Sequence, residues 1–64
     1  MEFSEEDRRR LRHDLRTPLT IVNGFAEVLA TDRVISDADR REYAARIQAA
    51  ATEISELLDA AFDG

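Results

Sequence analysis

His13 is the only histidine in this 64-residue sequence, and it stands five residues before the only proline, Pro18. Both lie in the run His13-Asp14-Leu15-Arg16-Thr17-Pro18-Leu19. An imidazole that is largely neutral near physiological pH carries a nucleophilic ring nitrogen. Asp14 adjoins it, and a carboxylate there can hydrogen-bond the other ring nitrogen, fix the tautomer and accept its proton. On a helix, His13, Arg16 and Thr17 stand at i, i+3 and i+4 and share one surface. Arg16 is then placed to pair with a phosphoryl oxygen, and Thr17 to orient a water molecule. One His beside one Asp lacks convergent ligand geometry, so no metal site is expected. With no cysteine in the sequence, disulfides, thiolate metal sites and cysteine nucleophiles are excluded.

These residues need a helix to position them, and the apolar pattern supplies one. Leu11, Leu15, Pro18, Val22, Phe25 and Leu29 recur at alternating steps of 4 and 3, which is a heptad seam despite the proline. With Leu11 at position d, His13 and Thr20 fall at f, and Thr17 and Gly24 at c. The histidine therefore points away from the seam, toward water. Proline inside a helix removes one hydrogen bond and collides with the carbonyl four residues earlier, here that of Asp14, so a bend is expected within a turn of His13. Thr17, Thr20 and Gly24 form a small, uncharged strip on the outer face where another protein's helix can lie close, with Ile21 and Val28 beside it. Gly24 in a helix interior costs about 1 kcal/mol against alanine.

Ser4 before Glu5, Glu6 and Asp7 marks the start of helix one, with Phe3 placed to staple the first turn. That helix is expected over about residues 5–30. Thr31 to Ile35 break the period, giving a loop over about 31–36 in which Val34 and Ile35 tuck under the helix ends. Ser36-Asp37-Ala38-Asp39 is a second start of the same kind, for a helix over about 37–61. Its seam reads Tyr43 (or Ala44), Ile47, Ala50 (or Ala51), Ile54, Leu57 (or Leu58) and Ala61. Folding the chain back at the loop sets Phe25 near Tyr43, Pro18 near Ala50 and Leu11 near Leu57. The basic run Arg8-Arg9-Arg10 with Arg12 and Arg16 then faces Glu53, Glu56, Asp59 and Asp63, favouring the antiparallel register. By itself the basic run reads as a solvated face.

The fold class is all-α: one domain, residues 1–64, folded as an antiparallel helical hairpin. Two helices of this length bury one stripe each, so the hairpin is expected to dimerise into a four-helix bundle. Charged residues make up 36% and hydrophobic residues 44%, a balance that does not describe a disordered chain. A net charge of −5 argues against nucleic acid as a partner. No apolar run is long enough to span a bilayer and no signal-peptide core is present, so no membrane contact is expected within the segment. A cytoplasmic location is expected, with any membrane anchor lying in the parent protein.

His13-Asp14-Leu15-Arg16-Thr17-Pro18-Leu19 resembles the H-box of sensor histidine kinases, in their dimerisation and histidine-phosphotransfer domain. All seven residues match, and the two-helix layout matches over nearly the whole sequence. The resemblance implies a homodimer in which His13 accepts the γ-phosphoryl group of ATP, with Asp14 as its proton partner. The phosphoryl group then passes to an aspartate of a response-regulator receiver domain. Thr17 matches the position that helps place water for dephosphorylating the regulator, and Thr20 and Gly24 fall on the surface where the regulator docks. The family's ATP-binding domain carries Asn-containing and Gly-rich boxes, whereas this sequence has only Gly24 and Gly64. No cofactor is therefore expected on this chain. ATP, with magnesium, belongs to the parent's catalytic domain, which becomes a second partner. The stretch thus reads as an excised domain with Met1 and Gly64 as chosen ends, and kinase activity as a property of the parent. Two other readings are a non-catalytic helical dimerisation scaffold that keeps Pro18 for its bend, and a stand-alone histidine phosphotransfer protein.

Overall fold

Two helix starts, one loop and two apolar seams produce two helices and no strand among the described residues, 4–63, of the computed structural model. Helix α1 spans Glu5–Ala30 and α2 spans Asp37–Asp63. Phe3, and with it the expected staple, lies outside the described residues.

The caps form as the side chains dictate. The Asp7 amide donates to Ser4 Oγ at 3.0 Å while the Ser4 amide donates to Asp7 Oδ2 at 3.3 Å, a reciprocal capping box. At the second start the Asp39 amide donates to Ser36 Oγ at 3.0 Å. Three carboxylates in the first turn of α1 and two in that of α2 complement the positive ends of the helix dipoles. Thr31 closes α1, its hydroxyl donating to the Val28 carbonyl at 2.8 Å. Nothing in the sequence before Gly64 stops α2, which continues past Ala61 to Asp63.

The seam is the contact between the helices. All six seam residues of α1 are buried or half-buried. So are Tyr43, Ile47, Ala50, Ile54, Leu57 and Ala61 in α2, whereas the alternatives Ala44, Ala51 and Leu58 are exposed. The Phe25 and Tyr43 rings stack with centroids 5.3 Å apart, which sets the antiparallel register near the loop. Seven residues further along each helix, about 10 Å at 1.5 Å per residue, come Pro18 and Ala50. These two are the only fully buried positions among the described residues, Pro18 below 2% exposed and Ala50 at 5%. Helix α1 runs through Pro18 without interruption.

Two expectations are corrected. Val34 does not tuck under the helix ends: it is fully exposed, at 102%, and only Ile35 is half-buried. The loop has no period to aim its side chains, and one apolar residue is enough to cover the helix ends. Nor do the arginines of α1 pair with the carboxylates of α2. Among the described residues every ion pair is local: Arg8–Glu5 at 3.6 Å, Arg40–Asp37 at 3.0 Å, Arg46–Glu42 at 2.8 Å and His13–Asp14 at 3.3 Å. An exposed pair holding two long side chains across helices gains little over solvation, so Arg8 takes a carboxylate on its own helix while Arg9, Arg10, Arg12 and Arg16 form no ion pair among the described residues. Register is therefore set by the apolar seam. The Asp63 side chain lies outside this description.

The hairpin measures 47 × 17 × 11 Å, with a radius of gyration of 15.0 Å. A compact globule of this length would have a radius near 11 Å. Leu19, Ile21, Leu58 and Phe62 remain exposed beside the seam. No helix among the described residues is long and apolar enough to cross a membrane.

Candidate functional site

The heptad splits the motif into two sets. Leu15 and Pro18 turn into the hairpin, one half-buried and the other fully buried, and anchor the segment. His13, Asp14, Arg16 and Thr17 are exposed, and so are Thr20 and Gly24 further along the same outer face. The structure thus brings the sequence-selected polar residues onto one side of α1, while Pro18 acts from beneath.

At the centre, the His13 side chain is 85% exposed and Asp14 is 43% exposed. Nδ1 of His13 lies 3.3 Å from Oδ1 of Asp14. Since a carboxylate only accepts, that contact selects the tautomer with the proton on Nδ1, donating to Asp14. The lone pair is then on Nε2, the ring atom that projects into solvent. At 3.3 Å in water the bond is long, so it biases the tautomer rather than locking it. Pro18 has no N–H, and the Asp14 carbonyl loses its usual intrahelical donor, leaving a second acceptor at the same residue. Among the described residues no cluster of His, Asp or Glu could hold a metal ion.

Below the histidine the outer face is recessed. One shallow apolar depression is lined by Thr20, Ile21, Gly24, Phe25 and Val28. A second, toward the loop, is lined by Gly24, Glu27, Val28, Thr31 and Arg33. Gly24 belongs to both, and a Cβ built there meets nothing within 4 Å. Internal packing therefore does not require glycine; the missing side chain only deepens the recess. Sequence reasoning stopped short of Thr31 and Arg33. The continuation of the helical spacing from Gly24 through Glu27 and Val28 to Thr31 carries that signal.

Glycine at this position makes a prediction with two opposed readouts. Gly24→Ala should stabilise the chain by up to about 1 kcal/mol in thermal or denaturant unfolding, since alanine is the better helix former and meets no neighbour. A partner helix packed into the recess should bind the same variant more weakly.

Comparison with known proteins gives two matches. The family model described as the His Kinase A (phospho-acceptor) domain matches residues 9–63. The chain is 28% identical over 53 residues to the sensor histidine kinase YcbM of Bacillus subtilis (strain 168). That alignment covers 83% of this chain and 17% of the relative, so the chain spans about a sixth of the length of the curated relative it matches. No solved structure is matched.

Proposed function

From the premise that the chain belongs to the His Kinase A (phospho-acceptor) domain family, we propose that it is the phosphoacceptor and dimerisation domain of a two-component sensor histidine kinase. The observation that carries this is the exposed imidazole of His13 with its Nδ1 on Asp14 and its Nε2 free. The Nε2 lone pair attacks the γ-phosphorus of ATP as the bond from that phosphorus to the bridging oxygen breaks and ADP leaves. The Nδ1 proton passes to Asp14 or through it to water. ATP, with magnesium, is held by the parent's ATP-binding domain, outside these residues. In the second transfer a carboxylate oxygen of a receiver-domain aspartate attacks the same phosphorus, the N–P bond breaks, and the imidazole regains its proton. Access to two proteins in succession demands the exposure that the heptad position provides.

Thr17 stands one turn from His13, where its hydroxyl can orient a water against the aspartyl phosphate of the regulator, releasing orthophosphate. Arg16 on the same surface offers a guanidinium to phosphoryl oxygens. Thr20 and Gly24 line the recess below, which suits close approach of the regulator. Homodimerisation into a four-helix bundle is supported by the two-residue buried core and by the exposed Leu19, Ile21 and Leu58 along the seam. A location in the cytoplasm follows from the use of ATP.

The test uses the ATP-binding domain of a sensor kinase and labelled ATP. The chain should acquire acid-labile, alkali-stable label that is absent from His13→Gln. Label surviving that substitution would contradict the reading. Thr17→Ala should leave acceptance of label within about twofold while slowing regulator dephosphorylation by about tenfold or more, less than the roughly 10²-fold minimum of general acid–base catalysis because the hydroxyl orients the water without taking its proton. Equal loss of both activities would instead indicate damage to the helix.

A further inference from the structure

The functional reading does not use the arginines on the N-terminal side of His13. All nine basic residues of the chain are arginines. Arg8, Arg40 and Arg46 have carboxylate partners. Arg9, Arg10 and Arg16 have none within ion-pair distance among the described residues, and all three are exposed. At about 100° per residue, these three lie within about 60° of His13 around the axis, Arg9 and Arg10 roughly one turn above it and Arg16 one turn below. Side chains on a helix lean toward its N-terminus. The imidazole therefore lies over the turn that carries Arg9 and Arg10, and Arg16 leans up toward it from the other side.

The negative charges nearby are already committed or distant. Glu5 is held by Arg8. Glu6 stands three residues before Arg9 and four before Arg10 but makes no ion pair with either, and it lies about 10 Å along the axis from His13, beyond a screening length of about 8 Å at physiological salt. Asp14 occupies the Nδ1 side of the ring. The turns on either side of the exposed ring thus carry unpaired arginines, whose guanidinium groups match phosphoryl oxygens in charge and in bidentate geometry.

We infer that Arg9 and Arg10 form a cationic rim that binds the phosphoryl group carried by Nε2 of His13, speeding its arrival and prolonging its stay. This rests on the reading of His13 as phosphoacceptor and adds two residues to it. A dianionic group beside two guanidinium groups is held by Coulomb attraction. The same positive field disfavours the protonated phosphoimidazole from which hydrolysis proceeds.

Phosphoramidate tests the rim without any partner protein. Nε2 bonds to phosphorus as the P–N bond of phosphoramidate breaks, ammonia leaves, and the Nδ1 proton passes to water. In Arg9→Gln/Arg10→Gln, checked for helicity by circular dichroism, labelling should slow and the phosphohistidine half-life should shorten, each by about fivefold at low salt. Both differences should shrink at about 0.5 M salt, where screening reaches within a few ångströms. Arg9→Lys/Arg10→Lys should recover part of both effects, and the remote exposed pair Arg40→Gln/Arg41→Gln, outside both recesses, should change neither. Equal rates in the double glutamine variant and the unsubstituted chain, with His13 labelled in both, would overturn this inference and leave the functional reading standing. A defect confined to labelling by the ATP-binding domain would also overturn it, assigning the arginines to protein docking. No label on His13 from either donor would overturn both.

Discussion

Asp14→Asn should slow phosphoryl acceptance by His13 by about a hundredfold while leaving the helical hairpin intact. In the proposed transfer the carboxylate takes the Nδ1 proton as Nε2 forms its bond to phosphorus, and proton transfer of this kind is worth roughly 10²- to 10⁴-fold. The lower end applies here. Asp14 is 43% exposed and its contact with His13 is 3.3 Å long, so water can replace it in part. Asparagine keeps a hydrogen-bonding oxygen and a similar volume but cannot accept the proton. The initial rate of label transfer from ATP, measured with the ATP-binding domain in excess, reads the effect directly. An unchanged rate would mean that solvent alone takes the proton and that Asp14 only biases the tautomer.

Phe25→Ala should cost about 2 kcal/mol of unfolding free energy, roughly a thirtyfold drop in the folded-to-unfolded ratio. Full truncation of a buried phenylalanine costs about 3–5 kcal/mol. Phe25 is only half-buried, which lowers that figure, but the stacked pair with Tyr43 at 5.3 Å contributes beyond area alone. In a hairpin with two buried residues and an otherwise half-buried seam, little other packing is present to offset the loss. Tyr43→Phe keeps the ring and should be close to neutral. Denaturant unfolding followed by circular dichroism distinguishes the two. A Phe25→Ala variant as stable as the unsubstituted chain would place the register-setting contact elsewhere in the seam.

What could be read in advance follows from what has a period. The alternating steps of 4 and 3 from Leu11 to Leu29 told which side of α1 is covered, and therefore that His13 is not. The same count in α2 left Tyr43 or Ala44, Ala50 or Ala51 and Leu57 or Leu58 open, and the structure covers the first of each pair. The capping residues Ser4 and Ser36 announced their helices because a side-chain oxygen two or three residues ahead of free amides has one obvious use. Val34 could not be placed, because a loop residue is aimed by no repeat. The cross-helix ion pairs failed for a related reason: register says which charges share a level, but not whether long exposed side chains prefer a closer partner on their own helix. Arg8 did prefer one. The recess follows the helical spacing from Gly24 as far as Thr31, whereas Arg33 lies beyond the end of α1, where no repeat aims a side chain.

The division of labour within the motif also has a physical basis. Pro18 lies inside the seam, buried like Ala50 on the facing helix. His13 and Thr17, five and one residues before it, are carried on a surface whose backbone is pinned from beneath. A reactive side chain that must be exposed gains precision from a buried neighbour within one or two turns, and the spacing between His13 and Pro18 supplies one.

The central claim is that Nε2 of His13, exposed while Nδ1 is turned to Asp14, is the atom that receives the phosphoryl group. Phosphorus–nitrogen NMR of the chain labelled with ¹⁵N in its single histidine, after phosphorylation through an ATP-binding domain, tests it most directly. The account predicts one phosphorus resonance coupled to Nε2 of His13. Coupling to Nδ1, or a phosphoryl group on any other residue, would contradict it.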